Sequence, residues 1–291
     1  SGERSEVSPQ DIQSWKNRLP ELLSRYQVQD IFNMDETALF WRGLPSRCYS
    51  AMGENNSGIK KSKHRVTVAL VVNMDGSEKR PAVVLGKSGQ PRCYGRRKVE
   101  EFHLGRVYYR SNKKGWMTGS IFEEYLTSWN ALLTSQNRKI LLLLDNAPGH
   151  PNKQFSNIQL DFFPPNSTAE LQPLDQGIIR SFKVRYRKSL LKRMVLLAEN
   201  NDNLSEGLKD LNLRDAIQWI IESWKDVPPD TVRACFDEAH FEHPLFNMER
   251  GDEVETAEDL LEELVGTDLV AGSPDDFCSL DEEITELKEM K

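Results

Sequence analysis

The sequence is short of everything that would staple it, anchor it or give it a preformed metal site. Its 291 residues include four cysteines, Cys48, Cys93, Cys235 and Cys278, with no CxxC pair among them. A disulfide framework or a thiolate zinc site needs denser spacing, so a reducing intracellular compartment is expected. The histidines His64, His103, His150, His240 and His243 form no zinc-ligand motif either. Long apolar runs are missing: Ile140–Leu144 spans five residues, against the ~20 that a helix needs to cross a bilayer. A membrane partner is therefore not expected. No basic, apolar, small-residue leader opens the chain, so secretion is not suggested. The apolar share, 38%, is low for a globular chain but enough for a core.

What is present is charge, and it is unevenly spread. Residues 249–291 hold 16 acidic and 3 basic side chains, a net −13. Of the 45 acidic and 38 basic residues in the whole chain this leaves 29 and 35, so residues 1–248 carry +6. A basic body with an acidic tail is the asymmetry of a nucleic-acid protein.

Local patterns divide the chain further. Ser8-Pro9-Gln10-Asp11 is a helix-start signature, and Ile12, Trp15, Leu19, Leu22, Leu23 and Tyr26 follow at helical spacing, with Pro20 expected to kink or divide the helix. Residues 30–34 read as a short strand ending on Asp35-Glu36. Residues 64–73 (HRVTVALVVN) and 79–85 (KRPAVVL) are β-branched runs joined by the turn residues Asn73-Met74-Asp75-Gly76-Ser77. Residues 87–115 read as loops with a strand near Val107. Residues 118–135 place Ile121, Phe122, Tyr125, Leu126, Trp129 and Leu133 on one helix face. Ile140–Leu144 reads as a strand buried on both faces, and residues 158–163 as another. A long helix is expected from Asp175 to Glu199, with two more at residues 215–225 and 229–240. Three meandering strands, a crossover helix and a parallel central strand make an α/β fold, an RNase H-like mixed sheet flanked by helices. The expected division is a helical linker at 1–29, the core at 30–200, a C-terminal helical extension at 201–248 and an acidic, partly disordered tail at 249–291.

In a fold of this order three acidic residues stand where the chain can bring them together. Asp35 ends the first strand, Asp145 ends the central strand, and Asp175 sits at a helix start. Phosphodiester hydrolysis needs such a set, because two divalent ions roughly 3.5–4 Å apart activate the attacking oxygen and stabilise the leaving one. Mg²⁺ takes oxygen ligands, commonly one or two carboxylates plus water and substrate phosphate. Taken singly, aspartates at strand ends are more often turn and cap residues, as Asp75 is expected to be. The residues around each of the three alter that balance.

Asn33-Met34-Asp35-Glu36-Thr37, Leu143-Leu144-Asp145-Asn146-Ala147-Pro148-Gly149-His150 and Leu171-Gln172-Pro173-Leu174-Asp175-Gln176-Gly177 resemble the three signature blocks of pogo/Tigger transposases. That branch of the Tc1/mariner superfamily also includes centromere protein B and the jerky proteins. The interval of 30 between Asp145 and Asp175 fits its DDD pattern, and residues 162–168 (FFPPNST) and 216–241 are similar to further blocks of the family. The resemblance covers residues 10–245. It implies an RNase H-like fold, Mg²⁺ or Mn²⁺ as cofactor, and cut-and-paste chemistry on terminal inverted repeats of double-stranded DNA. It also implies catalysis and metal binding by Asp35, Asp145 and Asp175, a nuclear location, a homo-oligomer assembled on DNA, and a helix-turn-helix DNA-binding domain upstream of these residues.

Around the triad, Glu36, Asn146, His150 and Gln172 are candidates for holding or orienting the carboxylates, each also explicable as an ordinary loop or strand-end polar group. Arg180, Lys183, Arg185, Arg187, Lys188, Lys192 and Arg193 put seven cations in fourteen positions beyond Asp175. A solvated helix face explains isolated cations; so many beside a candidate site point to phosphate contact. The basic run at residues 60–65 and the cations of residues 92–98 could track the backbone as well. Two functions follow from the sequence: a metal-dependent DNA cleavage and strand-transfer domain, or a domesticated Tigger-derived chromatin protein that binds DNA without cutting it. An RNase H-like nuclease acting on RNA hybrids would share the carboxylates but not the pogo-like blocks.

Overall fold

The structure is a computed structural model and describes residues 8–43, 64–199, 207 and 210–241. The basic run at residues 60–63, Cys48, Cys278 and the acidic tail at residues 249–291 lie outside the described residues. Helix α1 (Pro9–Leu23) starts as its sequence predicts, with the Ser8 hydroxyl accepting from the Asp11 N–H at 3.3 Å. It is not divided at Pro20. Proline costs one intrahelical hydrogen bond there, while Trp15 and Leu19 on the same helix are buried in the core.

Strand β1 (Ile31–Phe40) is longer than expected. It pairs antiparallel with β2 (Arg65–Asn73) along its length, so Asp35 lies opposite Leu70 inside the ladder. The acidic pair does not end the strand because residues 37–40 resume an apolar pattern against the β-branched start of β2. β3 (Ala82–Gly86) pairs antiparallel with β2 after the expected turn, in which Asp75 accepts from the Ser77 N–H at 3.0 Å. A short helix α2 (Val99–Phe102) leads to β4 (Val107–Ser111), which joins β3 in parallel. Helix α3 (Gly119–Ser135) then crosses to β5 (Ile140–Leu144), parallel to β1, and β6 (Ile158–Phe162) extends the parallel side. The strand order β4-β3-β2-β1-β5-β6 is an RNase H-like mixed sheet with one added edge strand.

Because side chains alternate across a strand, each sheet face builds its own core. Phe32, Met34, Ala69, Val71, Leu142 and Leu144 pack against Phe122, Leu126 and Trp129 of α3. Ile31, Leu39, Val68, Leu70, Leu141 and Leu143 face the opposite layer. That layer holds α1, the short α4 (Thr168–Leu171), α5 (Ile179–Glu199), α6 (Leu213–Lys225) and α7 (Pro229–Glu238). The long helix does not begin at Asp175. Leu174–Ile178 form a wide turn broken at Gly177, whose φ of 145° and ψ of −14° are non-helical. Among the described residues no helix is long and apolar enough to cross a membrane.

Candidate active site

Asp35 sits where β1 parts from β5. The two strands pair in parallel from Ile31↔Leu141 to Asn33↔Leu143, and two residues further along each lie Asp35 and Asp145. Strand alternation turns Asn33 and Asp35 toward the face that carries the 174–178 turn, and the first residue after β5 on that face is Asp145. Three separate elements therefore deliver the three aspartates to one end of the sheet.

Their electrostatics record this proximity. Asp35 is 8% exposed, and burial pushes its pKa well above the usual carboxylate range, reinforced by the negative charges of Asp175, Glu36 and Asp145. The carboxyl groups of Asp35 and Asp175 are within hydrogen-bonding reach of each other. Asp175 reaches solvent on its outer side, yet desolvation on its inner side raises its pKa too, with Asp145 adding to the rise and the bonds from Asp35 and Gln172 and the charge of Lys183 opposing it. Asp145 behaves oppositely. Burial raises its pKa, but the hydrogen bond and charge of His150 and the Ala147 N–H outweigh burial and leave it below the ordinary value.

His150 is the centre of a second arrangement. Its ring is fully enclosed, with Nδ1 2.6 Å from Asp145 Oδ1 and Nε2 3.0 Å from Glu36 Oε1. Desolvation would depress its pKa, but the two carboxylate bonds prevail and carry it to about 10. The imidazole is thus a cation bridging Asp145 and Glu36, and it packs on Phe122 of α3 with ring centroids 4.9 Å apart. Gln172, 1% exposed, donates from Nε2 to Asp175 Oδ2 at 3.2 Å, while its Oε1 has no hydrogen-bond partner among the described residues. Asn146 donates to the main-chain carbonyl of Phe163 rather than toward the carboxylates.

The donor set fits a hard divalent cation. Three carboxyl groups stand at one end of the sheet with the negative charges of Asp175 and Asp145 acting on buried Asp35, which a cation would relieve, and all the donors are oxygen. Among the described residues no three acidic, histidine or cysteine side chains stand in a finished ligating set.

The cations of α5 divide by burial. Residues 182–187 are all buried, because this stretch is enclosed between the sheet and the helices α6 and α7. Arg187 is 0% exposed and donates to the carbonyls of Phe40 and Gly43 at 2.9 and 3.0 Å. Arg185 donates to Ser181 Oγ at 2.6 Å, and Lys183 lies buried with its charge acting on Asp175. Of the seven cations Arg180, Lys183, Arg185, Arg187, Lys188, Lys192 and Arg193 expected to contact phosphate, Lys183, Arg185 and Arg187 are buried. Their charge works inside the fold. Arg180, Lys192 and Arg193 are exposed, and Lys188 is partly so.

Sequence reasoning passed over Asn33. It is 0% exposed on β1, its Nδ2 donates to the Leu143 carbonyl at 3.1 Å, and its Oδ1 accepts from the Leu174 N–H at 3.0 Å. The signal was available, since asparagine is depleted in strands and a buried polar side chain must find partners.

The description of one protein family, DDE superfamily endonuclease, matches residues 63–236, a span that includes Asp145 and Asp175 and starts after Asp35. The chain is 32% identical over 275 residues to Tigger transposable element-derived protein 4 of Mus musculus, covering 93% of this chain and 52% of that protein. It is 31% identical over 242 residues to Major centromere autoantigen B of Homo sapiens, covering 81% of this chain and 38% of that protein. The chain thus spans about half or less of the length of these relatives. Among solved structures it is similar to the catalytic domain of Mos1 mariner transposase, with 14% identity, a TM-score of 0.36, and coverage of 82% of this chain and 98% of that one.

Proposed function

The chain belongs to the DDE superfamily endonucleases, in the pogo, Tigger and centromere protein B branch, and from this premise we propose that it cuts and joins DNA at transposon ends. Asp35 and Asp145 would hold Mg²⁺ or Mn²⁺, with Asp175 completing the set. When bound, the two ions supply activation of the attacking oxygen and stabilisation of the leaving one. The observation that carries the reading is that β1, β5 and the 174–178 turn bring Asp35, Asp145 and Asp175 to one end of the sheet.

The residues have distinct tasks in this scheme. Asp35, buried on β1 with its Oδ1 accepting from the Glu36 N–H at 2.7 Å, would offer carboxylate oxygen to the cation. His150 keeps the Asp145 carboxylate in one orientation from behind, and Glu36 anchors the far side of the imidazole. Gln172 orients Asp175 through its amide. Water attacks a phosphodiester, breaking its P–O3′ bond to leave a 3′-hydroxyl and a 5′-phosphate, and that 3′-hydroxyl then attacks a phosphodiester of target DNA, expelling a target 3′-hydroxyl. Positioning and charge supply the rate, so no side-chain nucleophile is needed. Double-stranded DNA is the partner, held on exposed cations such as Lys192 and Arg193. The whole protein acts in the nucleus as a homo-oligomer on DNA, with a helix-turn-helix domain ahead of these residues reading the sequence.

A second reading, a domesticated chromatin protein that binds DNA without cutting it, is favoured by the 31% identity to a protein described as a centromere autoantigen. The deciding experiment is a cleavage assay of the full-length protein on duplexes bearing its terminal inverted repeats, with Mg²⁺ or Mn²⁺. Cleavage that is lost in Asp145→Asn, with folding and DNA binding preserved, supports the catalytic reading. Tight DNA binding without cleavage in the wild type supports the second.

A further inference from the structure

One side chain touches all three elements that carry the acidic residues. Asn33 precedes Asp35 by two residues on β1. Its Nδ2 donates at 3.1 Å to the carbonyl of Leu143, which precedes Asp145 by two residues on β5. Its Oδ1 accepts at 3.0 Å from the N–H of Leu174, which immediately precedes Asp175. We propose that Asn33 is a positioning residue whose amide locks β1, β5 and the 174–178 turn together and so sets the spacing of the three carboxylates.

The chemistry of the contact selects an amide. One partner is a main-chain carbonyl and needs a donor; the other is a main-chain N–H and needs an acceptor. A carboxylate at this place would serve Leu174 but would face the Leu143 carbonyl with a negative charge, next to three acids. An aliphatic side chain of the same size would leave both main-chain groups buried and unpaired, which buried polar groups rarely tolerate. Location makes the contact matter. Asp175 sits in a turn rather than a regular helix, since Gly177 interrupts the backbone there. The regular sheet ladder joins β1 to β5 only as far as Asn33↔Leu143. At that last pair the amide adds a side-chain bond to β5 and extends the connection to a third segment. Groups that orient metal ligands are typically worth 10- to 100-fold in affinity.

The proposal rests on the catalytic reading, and the test separates the two. Mn²⁺ affinity of the wild type, Asp145→Asn, Asn33→Leu and Asn33→Ser is measured from the paramagnetic resonance of free Mn²⁺. Amide exchange at Leu174 is followed by NMR without metal, with Val71 and Val83 as core controls. Asn33→Leu should weaken Mn²⁺ binding on the order of 10- to 100-fold and accelerate exchange at Leu174, leaving the controls unchanged. Wild-type exchange at Leu174 would overturn the proposal. So would faster exchange with wild-type Mn²⁺ affinity, which would make Asn33 structural only. If Asp145→Asn binds Mn²⁺ as well as the wild type does, the carboxylate reading fails and the positioning role falls with it. Should Asn33→Leu not fold, Asn33→Ser is judged by the same two measurements. A through-hydrogen-bond coupling from the Leu174 nitrogen to the Asn33 side-chain carbonyl is expected in the wild type, and its absence overturns the proposal whether or not the variants fold.

Discussion

Gly177 offers a direct test of how the turn bearing Asp175 is built. Its φ of 145° lies where residues with a Cβ are strained, so Gly177→Ala should cost about 1–3 kcal/mol in backbone energy. Two further effects bear on the net value. Alanine has less freedom than glycine to lose on folding, which returns about 0.4–1 kcal/mol. The new Cβ would also stand 3.3 Å from Cys235 Sγ, a few tenths of an ångström inside ordinary contact. A small shift of the sulfur relieves that contact, so the backbone is the larger effect. The expected net loss is about 1–2 kcal/mol, or about 2–8 °C in Tm for a domain of this size. Urea unfolding of Gly177→Ala, Cys235→Ala and the double variant isolates the two causes. If the backbone dominates, the coupling energy stays within about 0.5 kcal/mol. Because Asp175 lies two residues before Gly177, Mn²⁺ binding should weaken in the same variant. A Gly177→Ala protein as stable as the wild type, or full recovery in the double variant, would refute the reasoning.

Other expectations follow from the same geometry. Replacing exposed Lys192 and Arg193 with alanine should weaken binding to all duplex sequences alike and lower the slope of log K against log salt by roughly 1.8 if both touch phosphate; an unchanged slope assigns them to solvent. Lys79 donates to the main-chain carbonyls of Lys225 and Val227, and burial, helped by the nearby Arg185 charge, lowers its pKa to about 8. Above that pH the folded state holds fewer protons at this site than the unfolded state, so stability should rise between about pH 8 and the ordinary lysine range. Urea curves of the wild type and Lys79→Met should diverge in the wild type's favour across that window, and a constant difference would discount the shift. Finally, residues 249–291 carry −13 against +6 on residues 1–248, so truncation after Met248 should raise DNA affinity most at low salt. Equal affinities of the truncated and intact chains across a salt series would exclude competition by the tail.

Much of the frame was legible locally. β-branched runs marked β2 and β3, the Asn73–Ser77 turn joined them, and the apolar run Ile140–Leu144 announced a strand buried on both faces. These patterns depend on side-chain alternation and turn chemistry, which neighbours in sequence suffice to express. The blocks around Asp35, Asp145 and Asp175 pointed to the family, and with it to the acidic residues. Strand length was less legible: β1 continues through the acidic pair because β2 pairs with it, a partner 25 to 41 residues away. Burial on α5 could not be read at all from its spacing. Helical periodicity distinguishes one apolar face from one polar face, but residues 182–187 are enclosed on all sides, and Arg187 is held by carbonyls at the end of β1 and beyond it. The Asn33 tie was hidden for the same reason, since both its partners lie more than 100 residues away in sequence. Sequence alone determined which residues can form strands, turns and an acid-bearing end of the sheet. Tertiary structure decided which charges face water and which are consumed inside, because burial depends on what packs against a residue, and the chain assembles those neighbours only on folding.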